Sequence, residues 1–221
     1  MTAGLPVRAF AQSDAPSGFS TSAPALVDSA VVQTMEGFGA AGAWWPDDLV
    51  KFRTGVQNQV ADMLFDQNGI QLSAYRYNIG GGGVGVTNPP RAAQTFLVSP
   101  GTYDWSRDPG GRLFLKLAQL RGVPILLGFV NSAPSIWTTN GLNSGGNLKL
   151  GSESAYARYL ADVVRHFHDV NGVTLSYVSP MNEPDYTFAG GGQEGMAVPA
   201  LQRAIVVQAV GRALAQQAPY C

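Results

Sequence analysis

The sequence predicts an α/β fold of successive βα units, best arranged as the first four units of a (β/α)8 TIM barrel. Three observations carry this. From about residue 31 onward, short β-rich runs alternate with segments of helical periodicity, the pattern of a parallel sheet with crossover helices. The run Val123 to Val130 is nearly unbroken in its apolar character, as a strand covered on both faces must be. Clusters of Gly, Trp, Asn, Arg and Glu fall after the C-terminal ends of the predicted strands, where barrel active sites are assembled. The alternation alone also fits a doubly wound sheet of four strands; the placement of the clusters favours the barrel.

The first strand is predicted over Val31 to Phe38, followed by a loop through Trp44, Trp45 and Pro46 and a helix from near Asp47 to Phe65. Val56, Val60, Met63 and Leu64 recur there at helical spacing. The second strand, Leu72 to Ile79, runs into the glycine stretch Gly80 to Gly83 and a long polar loop through Asp108, before a helix over Arg112 to Arg121. After the third strand, a helix beginning near Ser152 carries Tyr156, Tyr159, Leu160, Val163, Val164 and Phe167 on one face, and Asn171-Gly172 ends it. The fourth strand is Thr174 to Pro180, and the fourth helix is Pro199 to Ala215 with its proline at the start.

Residues 1–26 read as a flexible lead, and 27–221 as the half-barrel. Ala9-Phe10-Ala11 resembles a cleavage site, but the stretch before it lacks the apolar core of a secretory signal. A net charge of -1 with 13% charged residues gives no electrostatic footprint for nucleic acid or an anionic membrane surface. No apolar run is long enough to span a bilayer. Aromatics at 10%, with 27 Gly and 14 Pro, suggest shaped loops carrying ring faces, which suits a neutral, sugar-like ligand. Cys221 is the single cysteine, so neither a disulfide framework nor a thiolate metal site is expected.

The fourth strand ends in Ser179-Pro180-Met181-Asn182-Glu183-Pro184-Asp185, which sets an amide beside a carboxyl where a barrel strand opens into its loop. A carboxyl desolvated by its neighbours could hold its proton near neutrality and act as a general acid, while Asn182 could bond a sugar hydroxyl. The alternative is a simple turn, since Asn and Pro both favour turns. The glycine run Gly80 to Gly83 does not lead directly into a helix, so a phosphate-binding loop is not supported. His166 and His168 stand two apart on a helix and point to different faces, which argues against a shared metal ion. Trp44 and Trp45 cannot both face one way in extended backbone, so one belongs to the core and the other to the cleft side.

Four segments in register carry a resemblance: Met35-Glu36-Gly37-Phe38-Gly39-Ala40-Ala41-Gly42-Ala43-Trp44-Trp45, Tyr75-Arg76-Tyr77-Asn78-Ile79-Gly80-Gly81-Gly82, Tyr103-Asp104-Trp105-Ser106-Arg107-Asp108-Pro109, and Ser179-Pro180-Met181-Asn182-Glu183-Pro184. Their order resembles glycoside hydrolase family 30, and most nearly its endo-β-1,6-galactanase branch, from about residue 27 onward. The resemblance implies a TIM barrel packed with a side β-sandwich, retaining hydrolysis of β-linked oligo- or polysaccharides, no cofactor, and secretion of the intact protein. It implies that Glu183 is the acid/base, that Asn182 holds the 2-hydroxyl of the cleaved sugar, and that Arg76 supports the carboxylates at the base of the site. The alternative for Arg76 is a buried arginine paired with a carboxylate for charge alone; Asn78 is either a support residue or a strand-end turn.

After Asn-Glu-Pro, Tyr186 and Phe188 stand where relatives often have tryptophans, so Tyr186 becomes the expected stacking residue, and Gly192-Gln193-Glu194-Gly195 matches the family's Gln-Glu-Gly. Asn131-Ser132-Ala133-Pro134-Ser135-Ile136-Trp137 resembles the family's Asn-Ser-Pro-Pro-x-Trp in looser register, making Trp137 either a sugar-facing ring or a core cap. The family's nucleophile, a Glu at the end of strand seven, has no counterpart here; neither Asp185 nor Glu194 lies on an opposite barrel wall, so this chain is expected to be inactive by itself. Glucosylceramidase-like, β-glucanase or xylanase specificity and a non-catalytic carbohydrate-binding role are the alternatives. A Schiff-base aldolase is disfavoured because Lys51, Lys116 and Lys149 all fall outside predicted strands.

Overall fold

The computed structural model describes residues 33–221, of which Gly37–Cys221 form one compact unit. The flexible lead expected over 1–26 and the start of the first predicted strand lie outside the described residues. In chain order the elements are β1 (Gly39–Ala41), α1 (Pro46–Leu49), α2 (Thr54–Phe65), β2 (Ala74–Asn78), β3 (Leu97–Ser99), β4 (Thr102–Tyr103), α3 (Pro109–Leu120), β5 (Ile125–Phe129), β6 (Gly146–Asn147), α4 (Glu153–Asp169), β7 (Tyr177–Ser179), β8 (Met196–Ala197) and α5 (Ala200–Gln217). β1, β2, β5 and β7 pair in that order, all parallel, in a four-stranded sheet. Each is followed by a helix, which is the βα repeat that the sequence predicts.

The first strand is displaced from its predicted place. Pairing starts at Phe38, whose carbonyl accepts from Ser73 N–H at 2.9 Å, and continues through Gly39 to Ala41 because β2 itself begins only at Ala74. A β-rich run has no ladder to join where its neighbour has not yet become a strand. The first predicted helix is split in two at residues 50–53. Gln57, nearly buried, turns its side-chain N–H group on the carbonyls of Val50 at 3.0 Å and Phe52 at 2.8 Å, satisfying backbone groups that the break leaves without helical partners.

α3 begins three residues before the predicted Arg112. Asp108 caps it, accepting the Gly111 N–H at 3.2 Å, and Pro109 occupies the first helical position. Two glycines follow despite their poor helix propensity, because a Cβ on Gly110 would lie 2.5 Å from the Pro46 carbonyl oxygen and one on Gly111 would lie 2.4 Å from the Asp108 carboxylate. Close packing, not propensity, sets this helix start.

The core lies between the sheet and its helices. Alternation in β2 sends Tyr75 and Tyr77, each 1% exposed, against Phe65 and Phe167 respectively, edge to face. Arg76, between them, projects from the opposite face. On α4, Tyr156, Tyr159, Leu160, Val163, Val164 and Phe167 are all buried, as the sequence periodicity predicts. Outside the main sheet, β6 and β8 form a short parallel pair, joining the loop after β5 to the loop after β7.

Candidate active site

The loops after β2, β5 and β7 gather at the C-terminal end of the sheet, and Arg76 reaches this end from within β2. Its guanidinium stacks 3.5 Å from the centroid of the Phe129 ring, and its Nη2 donates to Asn182 Oδ1 at 2.8 Å. A guanidinium has only donors, so the atom it meets must be the amide oxygen. The Asn182 amide is thereby oriented with its N–H2 group free to donate. Desolvation lowers the Arg76 pKa from its usual value, opposed by the charge of Glu183. The partner of this arginine is thus an amide, with the carboxylate acting at longer range.

Glu183 sits in left-handed backbone, φ 45°, and its carbonyl accepts the Tyr186 N–H at 3.0 Å. Asn182-Glu183-Pro184 is therefore a turn as well as a candidate site. The turn is tied down on both sides: Tyr156 donates to the Pro180 carbonyl at 2.7 Å, and Val198 N–H to the Pro184 carbonyl at 2.9 Å. The desolvation expected around the Glu183 carboxyl is not found, because the side chain stands exposed on the rim of an open cleft. That cleft, about 370 Å³, is lined by Arg91, Glu183, Tyr186, Phe188, Gln193 and the glycines at 190 and 192. Glu183 is the only carboxylate lining it among the described residues.

Tyr186 is exposed beside Glu183 and meets Phe188 edge to face at 4.8 Å. Trp137 is 8% exposed and packs against Tyr156 and Tyr159 at ring distances of 6.2 and 5.8 Å, which is the core placement. Trp45 packs on Phe114 at 4.7 Å, while Trp44, half-buried like its neighbour, has the Arg91 guanidinium 5.9 Å over its ring and does not line the cleft. Asn78 is buried and accepts from Asn131 at 3.0 Å, linking the ends of β2 and β5. Arg91 and Gln193 escape sequence reasoning as cleft residues, since nothing in a long loop announces which side chains return to the site.

No group of three or more His, Cys, Asp or Glu is placed to hold a metal among the described residues. His166 stacks on Trp105 at 3.9 Å and His168 on Tyr220 at 3.7 Å, two separate surroundings. A larger hollow, about 460 Å³, lies between α3 and α4 and has no carboxylate in its lining.

The sequence pattern of O-Glycosyl hydrolase family 30 matches residues 25–220. The chain belongs to this family. Among solved structures, a conserved exported protein from Bacteroides fragilis shares 27% identity at a TM-score of 0.77, over 83% of this chain and 42% of that one. The catalytic domain of a family 30 xylanase C from Talaromyces cellulolyticus shares 26% identity at a TM-score of 0.62, over 81% and 43%. A subfamily 8 xylanase of family 30 from Clostridium acetobutylicum, at 24% identity and a TM-score of 0.64 over 84% and 41%, adds a likeness of fold alone. The chain thus spans about two fifths of the length of these structures, consistent with part of a barrel. A search of curated proteins finds no significant match. No helix among the described residues is long and apolar enough to cross a membrane.

Proposed function

We propose that this family 30 chain carries the acid/base wall of a retaining β-glycosidase site, with Glu183 as proton donor and β-1,6-galactan or a closely related glycan as substrate. The observation that carries the reading is the Arg76 to Asn182 bond beside Glu183: it occupies the amide oxygen and so reserves the N–H2 group as the donor for the 2-hydroxyl of a bound sugar. Tyr186 offers the adjacent ring face, and Arg91 and Gln193 the polar wall.

In this mechanism Glu183 gives its proton to the glycosidic oxygen as that oxygen leaves. A second carboxylate, about 5–5.5 Å away, bonds to the anomeric carbon; Glu183 then takes a proton from the water that displaces the ester. The described cleft supplies Glu183 and no second carboxylate. Binding without turnover is accordingly the behaviour proposed for these 221 residues. Secretion belongs to the same proposal, supported by the exported Bacteroides fragilis relative.

The galactan assignment rests on the motif resemblance. Xylan is the second reading, favoured by the Talaromyces cellulolyticus xylanase at 26% identity. Titration of the chain with β-1,6-galactotetraose and with xylotetraose, followed by backbone amide shifts, tests both. Shifts at Asn182, Glu183 and Tyr186 stronger with the galactan probe are expected; the reverse order installs the xylan reading, and no shift with either removes the glycan site. Hydrolysis of β-1,6-galactan by the chain, abolished in Glu183→Gln, would sink the claim of binding without turnover.

A further inference from the structure

Glu194 is 0% exposed and takes no part in the chemistry above. Its Oε1 accepts the N–H groups of Gly81 at 2.9 Å and Gly83 at 3.3 Å, the glycine loop that follows β2. Its own N–H donates to the Arg91 carbonyl at 3.1 Å, and the next two N–H groups, of Gly195 and Met196, donate to the carbonyls of Asn143 at 2.8 Å and Asn131 at 3.0 Å. Asn143 closes the circuit, accepting from Val84 N–H at 2.8 Å and donating to the Ala133 carbonyl at 2.8 Å. Residues 194–196 therefore stitch the loop after β7 to those after β2 and β5.

The fit is close on both sides. A Cβ on Gly81 would lie 2.6 Å from the Ser132 carbonyl oxygen and 2.8 Å from Glu194 Oε1, so the glycine is what lets the carboxyl reach the backbone. Arg91, held through its carbonyl by Glu194, and Gln193, its chain neighbour, both line the cleft that Glu183 borders. Glu194 is thus one backbone hydrogen bond from Arg91 and one peptide link from Gln193, the connections through which its placement can set theirs.

We infer that Glu194 is a positioning residue of the Glu183 cleft: its carboxyl clasps Gly81 and Gly83, and so fixes Arg91 and Gln193 as the wall a glycan meets. The inference rests on the glycan reading of that cleft. It separates reach from charge. Glu194→Gln keeps an acceptor oxygen at the same reach, whereas Glu194→Asp keeps the carboxyl but withdraws it by one methylene.

The test compares both variants with the unmodified full chain by amide hydrogen exchange at Gly81 and Gly83 and by affinity for β-1,6-galactotetraose and xylotetraose. Glu194→Gln is expected to keep protection and affinity within about twofold, and Glu194→Asp to lose about tenfold in each, the scale of one or two buried hydrogen bonds. Val206→Ala, in the core of α5, supplies a destabilised control whose affinity stays unchanged. Protection retained in Glu194→Asp overturns the clasp. Lost protection with unchanged affinity, or equal affinity losses in Glu194→Asp and Val206→Ala, reduces Glu194 to a structural part and overturns its role. A full chain that binds neither tetraose overturns the glycan reading and the role with it, and the exchange data tell that outcome from a failed clasp.

Discussion

At the scale of single residues, the site divides aromatic and polar groups by what they touch, and substitutions should divide the same way. Trp137 packs among Tyr156 and Tyr159, so Trp137→Ala should cost about 3–5 kcal/mol of stability, read by urea denaturation, with the affinity of the folded fraction unaltered. Tyr186, 61% exposed beside Glu183, should behave oppositely: Tyr186→Ala lowers oligosaccharide affinity and leaves stability within about 0.5 kcal/mol. Equal effects of the two substitutions on affinity would show that the core placement of Trp137 misses a contact with sugar. Arg76→Lys loses the planar fork that orients Asn182 and should weaken oligosaccharide binding about tenfold while the melting temperature barely moves. The sequence offered Trp137 with two roles and could not choose, because a tryptophan at a strand end serves either. The choice depends on which way a short 3-10 turn, Ser135–Trp137, presents the ring, and that is a property of the α4 surface beneath it.

Elements were legible where one physical signal governed them. The buried face of α4 follows from spacing alone, since burial against a sheet imposes a period that sequence displays directly. β5 follows from its apolar run, but Ile125 and Leu127 on one of its faces are only partly buried, so the cover expected on both faces is incomplete among the described residues. Starts and breaks were less legible, because they answer to single distant atoms. The split between α1 and α2 depends on Gln57 folding back on Val50 and Phe52, and the early start of α3 on Asp108, whose carboxyl both caps the helix and accepts the Tyr77 hydroxyl at 2.5 Å. Removing this carboxyl should therefore do more than remove a cap. Asp108→Ala leaves the buried Tyr77 hydroxyl without its acceptor, and the combined cost should be about 2–4 kcal/mol in chemical denaturation, against about 1 for an ordinary cap. A loss of only the smaller size would mean that Tyr77 finds another partner. The clasp at Glu194 was invisible for the same reason: Gln-Glu-Gly was recognisable as a motif, but the Gly81 and Gly83 amides it meets lie more than a hundred residues earlier in the chain.

For the whole molecule, the parallel sheet and the gathering of unusual residues at one end of it were readable in advance, because both follow from the βα repeat and need no knowledge of contacts. What the repeat does not reveal is that the loops at that end are held by acids taken wholly out of water. Burial raises the pKa of Asp108 from an ordinary 3.8 to about 7, and that of Glu194 from 4.5 to about 8, each only partly offset by hydrogen bonds from Tyr77 or from the glycine amides. Between these ordinary and raised values, the folded chain keeps protons that the unfolded chain has released. Stability must therefore fall with rising pH across the interval. The contribution is fully present below about pH 4 and is lost as pH climbs through 7 to 8, the reverse of what salt-bridged carboxylates give. Urea midpoints measured at steps from pH 5 to pH 8 should decline steadily in the unmodified chain. Glu194→Gln, which cannot ionise and keeps the reach of the side chain, should abolish the decline above about pH 7 and roughly halve its slope below, whereas Asp108→Asn should halve the slope below about pH 7 and leave the decline above it in place. A midpoint that holds constant or rises over this range would mean that water reaches both carboxyls, and that the loop ends around the cleft are looser than their hydrogen bonds imply.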